Sequence, residues 1–239
     1  STAKIYITLA IQSYTESPDG SRWLLRTNTG DYWMFAGTSG ALRRIEAGSG
    51  NTFSPDGGQI LYARSGDLHV YDLESDRVIP LTRDGGAASV SNGRAVWSPD
   101  GARIAYLQSD ASAVRMRSML VPSDPSYPEV REVRFARVGE TIPTLRVGVV
   151  DADGSEMRWL SIPSPAEGFY LGQIGWAGNS HELLVERFSR FRDKREFFIA
   201  DVITGEVSKI YHESDPSWVI ASYRTNSGLE WIRDGSAFV

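Results

Sequence analysis

The sequence predicts an all-β fold, a β-propeller of four-stranded antiparallel blades. Three observations predict it. First, a turn phrase recurs as Ser17-Pro18-Asp19-Gly20, Ser54-Pro55-Asp56-Gly57 and Ser98-Pro99-Asp100-Gly101. Its copies start 37 and then 44 residues apart, which is the length of one four-stranded blade. Second, an apolar alternating run follows each copy: Trp23-Leu24-Leu25, Ile60-Leu61-Tyr62-Ala63 and Ile104-Ala105-Tyr106-Leu107. Third, the next strand often opens on Gly-Asp, as in Gly30-Asp31-Tyr32-Trp33 and Gly66-Asp67-Leu68-His69. The phrase has a mechanism. Proline presets φ, Asp bonds nearby backbone and Gly supplies a positive φ, so the tetrapeptide makes a tight turn between two strands.

The elements follow in order. After the turn and its strand come a second turn, a third strand, a Gly- or Asp-rich hairpin link and a closing strand. The closing strands are Leu42 to Ile45, Arg77 to Leu81, Met157 to Ile162 and Glu206 to Tyr211. The phrase decays to Trp176-Ala177-Gly178-Asn179-Ser180 and Trp231-Ile232-Arg233-Asp234-Gly235, and both keep the Trp that precedes Ser98. The predicted blades lie near 14–49, 50–85, 93–163 and 170–211, with a partial one over 217–239. Residues 4–11 read as the last strand of a preceding blade. Four to five blades sit at the low end of what closes a ring. The pattern therefore predicts part of a larger propeller; the alternative is that 1–13 and 217–239 complete a five-bladed ring.

Residues 110–143 interrupt the third blade. Part of this stretch is Pro-rich, around Pro122, Pro125 and Pro128. Part alternates apolar with charged residues, Val130-Arg131-Glu132-Val133-Arg134-Phe135. It reads either as an extended hairpin arm or as an irregular surface loop; loops this long in compact domains are commonly functional.

Composition narrows the function classes. A hydrophobic content of 41% with 23% charged residues is that of a globular protein. The net charge of -5 argues against nucleic acid, which selects a basic face. The absence of cysteine excludes disulfides, thiol catalysis and Cys-ligated metals. No run of 18 apolar residues suits a membrane-spanning helix. No cofactor or metal motif stands out.

From about residue 94 onward the chain resembles the N-terminal propeller of the dipeptidyl peptidase IV family. The stretches that carry this are Trp97-Ser98-Pro99-Asp100-Gly101, then Tyr127-Pro128 through Phe135 and Gly139 to Pro143-Thr144-Leu145. Later come Glu186-Arg187-Phe188-Ser189-Arg190, Ala200-Asp201 with Thr204-Gly205, and Ser214-Asp215-Pro216-Ser217-Trp218-Val219. Before residue 94 the repeats look like the generic blades of TolB-like proteins. The resemblance implies a propeller that gates a C-terminal α/β-hydrolase domain and helps bind peptide. It also implies an arm that reaches a second subunit, with Tyr127, Val133 and Phe135 near the contact, and an extracytoplasmic setting.

Two departures bear on function. The family anchors the substrate amine with paired glutamates just before the Trp-Ser-Pro phrase. Here residues 83–94, Arg83-Asp84-Gly85-Gly86-Ala87-Ala88-Ser89-Val90-Ser91-Asn92-Gly93-Arg94, hold no glutamate. In the later blade the family's Asn is replaced, leaving Phe191-Arg192-Asp193.

No catalytic residue is assigned. A Gly-x-Ser-x-Gly nucleophile elbow is missing from the sequence, and the three histidines, His69, His181 and His212, have no triad or metal-ligand spacing. The densest positive run contains Arg187, Arg190, Arg192, Lys194 and Arg195, interleaved with Glu186, Asp193 and Glu196. It reads either as a solvated hairpin tip or, through Arg187, Arg190 and Arg192, as a contact for a peptide or other anion, since guanidinium forks suit carboxylates. Two functions remain: the non-catalytic propeller of a dipeptidyl peptidase IV-like serine peptidase, or a TolB-like binding scaffold with no peptidase attached.

Overall fold

The computed structural model describes residues 10–86, 89–121, 127 and 129–219. Four antiparallel sheets of four strands follow one another along the chain. The first holds β1 (Ile11–Glu16), β2 (Arg22–Thr27), β3 (Tyr32–Ala36) and β4 (Ala41–Ile45). The second holds β5 (Ser49–Phe53), β6 (Gln59–Arg64), β7 (Asp67–Asp72) and β8 (Arg77–Pro80). The third starts with β9 (Val90–Trp97) and β10 (Arg103–Asp110). The chain then leaves as a separate two-stranded hairpin, β11 (Met116–Val121) and β12 (Glu129–Arg134), and returns with β13 (Thr144–Asp151) and β14 (Met157–Leu160). The fourth holds β15 (Phe169–Trp176), β16 (Glu182–Ser189), β17 (Lys194–Asp201) and β18 (Val207–Ser214). Each sheet is one blade, and β11–β12 is the arm. Ile11, expected at the end of a preceding blade, instead opens β1 and pairs with Thr27. Residues 4–9 of that expected strand, and the expected partial blade from 220 onward, lie outside the described residues.

The turn phrases share one geometry. Ser17 Oγ donates to Asp19 Oδ1 at 2.6 Å, the Arg22 amide donates to Ser17 Oγ at 2.9 Å, and the Gly20 amide closes on the Ser17 carbonyl at 2.9 Å. Ser54-Asp56-Gly57-Gln59 and Ser98-Asp100-Gly101-Arg103 repeat these bonds. The fourth turn differs. Its positive φ, +73°, sits on Gly178 rather than on a fourth-place glycine, and Asn179 Oδ1 takes the amides of His181 and Glu182.

The core lies between blades, not within them. Ile60 and Tyr62 pack toward Leu24, Met34 and Ile45 of the first blade. Leu61, one residue along and on the opposite face, packs with Ile104, Tyr106 and Val150 of the third. Ala105, Val147 and Val149 then meet Leu183, Val185 and Phe198 of the fourth. A middle strand is thus covered on both faces, which is why Leu183-Leu184-Val185 reads as a continuous apolar run rather than an alternation. Ile60 is fully buried, so its truncation to Ala costs about 2–5 kcal/mol.

Polar contacts set the stagger between blades. Arg22 donates to the Gly57 carbonyl at 2.8 Å, joining the first two turns. The Asp100 amide donates to Ser180 Oγ at 3.1 Å, joining the third and fourth. The recurrent tryptophans have the same task. Trp97 Nε1 donates to the Thr52 carbonyl at 3.4 Å and Trp176 Nε1 to the Val96 carbonyl at 3.3 Å, each on the first strand of the preceding blade. The first strands of neighbouring blades therefore stand side by side, as the inner strands of a propeller do.

Candidate functional site at the arm face

Strand alternation gives each blade two unlike ends. The turn phrases and the third-to-fourth-strand links occupy one. The arm, the 190–193 hairpin tip of the fourth blade, residues 81–86 and the link 161–168 occupy the other. Between arm root, link and tip lies an open cleft of about 890 Å3, lined by Val138, Ile142, Pro165, Phe169, Tyr170 and Phe191 among others.

Glu140 joins the parts of this cleft. Its carboxylate accepts from Arg117 of β11 and from the Arg137 amide at 3.0 Å, while its carbonyl accepts from Arg190 of the blade tip. The hydrogen bond from Arg117, and after it that from the Arg137 amide, holds the Glu140 carboxyl below its usual range. Arg117 Nε also donates to the Phe135 carbonyl at 3.1 Å, and Arg134 caps the carbonyls of Ser112 and Val114 at 2.9 and 2.8 Å. The arm therefore leaves the blade through a hydrogen-bonded root. Beyond it Leu120 and Val130 are directly opposed and exposed, with Phe135 and Val138 exposed at its base. Tyr127 is also exposed, whereas Val133 is half-buried.

The three arginines expected to meet an anion have different surroundings. Arg187 is buried, bonded to Glu196 at 3.0 Å and to the Pro163 carbonyl, with its guanidinium 5.0 Å from the Phe198 ring. Arg190 spans the carbonyls of Glu140 and Glu167 at the cleft wall. Arg192 has φ +58° in the tip and lies 4.9 Å from the Tyr170 ring. Arg195 is buried against Glu186 at 2.6 Å. Burying charges is costly without partners, and the interleaved acids supply them. The partners lie on neighbouring strands: Arg187 stands opposite Glu196 in the register.

In the stretch 83–94, Gly85 and Gly86 lie against the tip of the second blade. A β-carbon on Gly85 would stand 2.0 Å from the Gly66 carbonyl oxygen, and one on Gly86 2.6 Å from that of Ser65. Asp84 accepts from Asn92 at 2.9 Å and from Gln108 at 2.7 Å. Asn92 and Gln108 are almost fully buried and bonded to each other at 3.0 Å. The one acid of this stretch is thus engaged in a blade-to-blade network, and Gly85 and Gly86 leave no room for side chains. The sequence alone carried no signal for that network or for the role of Glu140.

The histidines lie apart. His69 stacks on Tyr62 with ring centroids 5.3 Å apart, and burial holds it below its usual range. His181 belongs to the fourth turn, and His212 lies exposed on β18. Among the described residues no group of His, Asp and Glu could hold a metal, and no helix is long and apolar enough to cross a membrane.

The family model described as the dipeptidyl peptidase IV N-terminal region matches residues 17–239. The chain belongs to that family. Dipeptidyl aminopeptidase B of Saccharomyces cerevisiae is 25% identical over 242 residues, covering 86% of this chain and 29% of that protein. Dipeptidyl-aminopeptidase B of Aspergillus niger is 26% identical over 206 residues, covering 72% and 23%. Among solved structures, Porphyromonas gingivalis dipeptidyl peptidase 4 superposes with a TM-score of 0.80 at 22% identity, over 93% of this chain and 35% of that one. The chain thus spans between about a quarter and a third of the length of these relatives. The match starts at Ser17, so the TolB-like first third belongs to the same family as the rest.

Proposed function

We propose that this chain is the non-catalytic propeller part of a dipeptidyl peptidase IV-like serine peptidase, which gates and binds peptide at the arm face and supports assembly through the arm. The observation that carries this reading is the family match across 17–239, together with an arm and a cleft on one face. Arg190 lines the side of the cleft that a peptide carbonyl or carboxylate would approach, and Arg192 lies over the ring of Tyr170, which lines it too. Arg187 supports it from behind by holding Pro163 in the link. The test is calorimetric titration of the chain with Gly-Pro-led oligopeptides. Binding weakened by Arg190→Ala or Arg192→Ala supports the reading, and no binding at millimolar peptide counts against it.

A second reading, a propeller of this family that acts as a scaffold without peptidase activity, is favoured by Gly85 and Gly86. Their packing against Ser65 and Gly66 leaves no side chain there to neutralise an ammonium group. In either case the 239-residue chain hydrolyses no Gly-Pro or Ala-Pro anilide, because no nucleophile elbow is present. Turnover abolished by a serine-directed phosphonate would contradict both.

A further inference from the structure

Each of the four first strands carries a bulge against its second strand. Three residues before the strand's end, the inner wall presents Ser13, Gly50, Arg94 and Gln173 in turn, all exposed. Two of them have a left-handed backbone: φ is +66° at Gly50 and +47° at Arg94. Glycine enters that region freely, whereas a long side chain is strained there. The other side-chain-bearing residues with positive φ among those described, Ser65, Asp76 and Arg192, sit in turns or bends; Arg94 sits inside a strand. The bulge does not require arginine, since Gly50 fills the same place in the second blade. Backbone strain of this kind persists where a side chain is kept for its function.

The guanidinium is also unneutralised. Arg94 donates one bond, to the Gly172 carbonyl of the next blade at 3.2 Å, and no carboxylate pairs with it among the described residues. On the four first strands the one other charged residue is Glu16, in the first blade. Arg94 is therefore the lone cation on a wall of Ser, Gly, Asn, Thr and Gln.

We infer that Arg94 is a carboxylate-binding residue on the inner wall of the propeller. The Gly172 carbonyl holds one edge of the guanidinium. The remaining N–H groups form the fork that receives a peptide carboxylate, from a chain terminus or from an acidic side chain. This site is separate from the arm-root cleft and does not depend on it.

The test titrates the 239-residue chain with N-acetyl-trialanine as free acid, with its amide, and with N-acetyl-Ala-Glu-Ala amide, following arginine Nε–Hε resonances by NMR. At least one carboxylate peptide is expected to shift the Arg94 resonance, and the trialanine amide is not. Binding of only one of the two acids identifies terminus or side chain as the source. Arg94→Gly should lose at least about tenfold in affinity while the melting temperature stays equal or rises, because glycine relieves the strained φ. Arg94→Asn, which tolerates the same φ, should do the same. Equal affinity of wild type for trialanine acid and amide with no response to the glutamate peptide, or undiminished binding in Arg94→Gly, overturns the inference. So does a clear fall in melting temperature in both variants, which would make Arg94 a clasp on Gly172.

Discussion

Gly85 lies backbone to backbone against Gly66: a β-carbon at position 85 would stand 2.0 Å from the Gly66 carbonyl oxygen. The contact holds residues 81–86 over the tip of the second blade, where the Gly85 amide also donates to Asp67 at 2.9 Å. Gly85→Glu therefore does not restore an amine anchor. It forces this segment off the blade and costs about 2 kcal/mol or more, as steric conflicts with fixed backbone do. Chemical denaturation of the variant checks this, and a wild-type midpoint would show that the segment is free to move.

Gly101 turns at φ +72°, and its β-carbon would meet Pro55 Cδ of the neighbouring turn at 3.4 Å. Gly101→Val should cost about 1 kcal/mol or more, since a β-branched residue is strained at positive φ. Gly40 has a similar φ, +67°, with open space around its β-position. Gly40→Val isolates the backbone term, and the difference between the two melting temperatures reports the packing of turn on turn.

Acid should loosen the turn ring. Hydrogen bonds from Ser17 and Ser21 hold the Asp19 carboxyl well below its usual range, and those from Ser54 and the Gly58 amide lower Asp56. Burial pushes Asp100 up, but bonds from Ser98, the Ala102 amide and Ser180 more than offset it. A carboxylate with a depressed folded pKa contributes stability that is fully present above its unfolded value and lost as pH falls through the folded one. The melting temperature should therefore hold near neutrality and drop below the ordinary Asp value of 3.8. Combining Asp19→Asn, Asp56→Asn and Asp100→Asn should flatten that drop, and an unchanged slope would assign it to other groups.

The arm root should open when its junction residue is lost. Glu140→Gln weakens the bond to Arg117 and keeps the carbonyl contact to Arg190. Hydrogen exchange over 134–145 should rise several-fold in this variant, and further in Arg190→Ala, while the blade cores stay protected. Uniform exchange across the chain would mean that the root is not a separate unit.

Exposed Leu120, Val130, Phe135 and Val138 on the arm lead to the expectation of self-association. Light scattering of the intact chain at high concentration should give a mass above one chain, and deletion of 118–138 should lower it. A monomeric intact chain would remove the arm from consideration as a contact.

The blade grammar was legible because its determinants are contiguous. Ser17, Asp19, Gly20 and Arg22 complete one turn within six residues, and face alternation needs only near neighbours in sequence. The arm was legible only in part: the alternation of Val130, Val133 and Phe135 with charged residues suggested a hairpin but left an irregular loop open, and the pairing of β11 with β12 decided it. What the arginines do was not legible. Arg187 and Arg190 have the same composition signal as a solvated tip, yet the backbone carbonyls they bind, those of Pro163, Glu140 and Glu167, lie 23 to 50 residues away. Gly85 and Gly86 read only as a stretch without glutamate until the Ser65–Gly66 tip is placed against them. Arg94 reads as an ordinary strand residue until the bulge sets its φ. Local chain chemistry determined the turns and the strand faces. Only the stacking of blade on blade decided which charges are buried, which glycines are obligatory and which cation is left facing the inner wall, because those depend on groups that the chain brings together over long sequence distances.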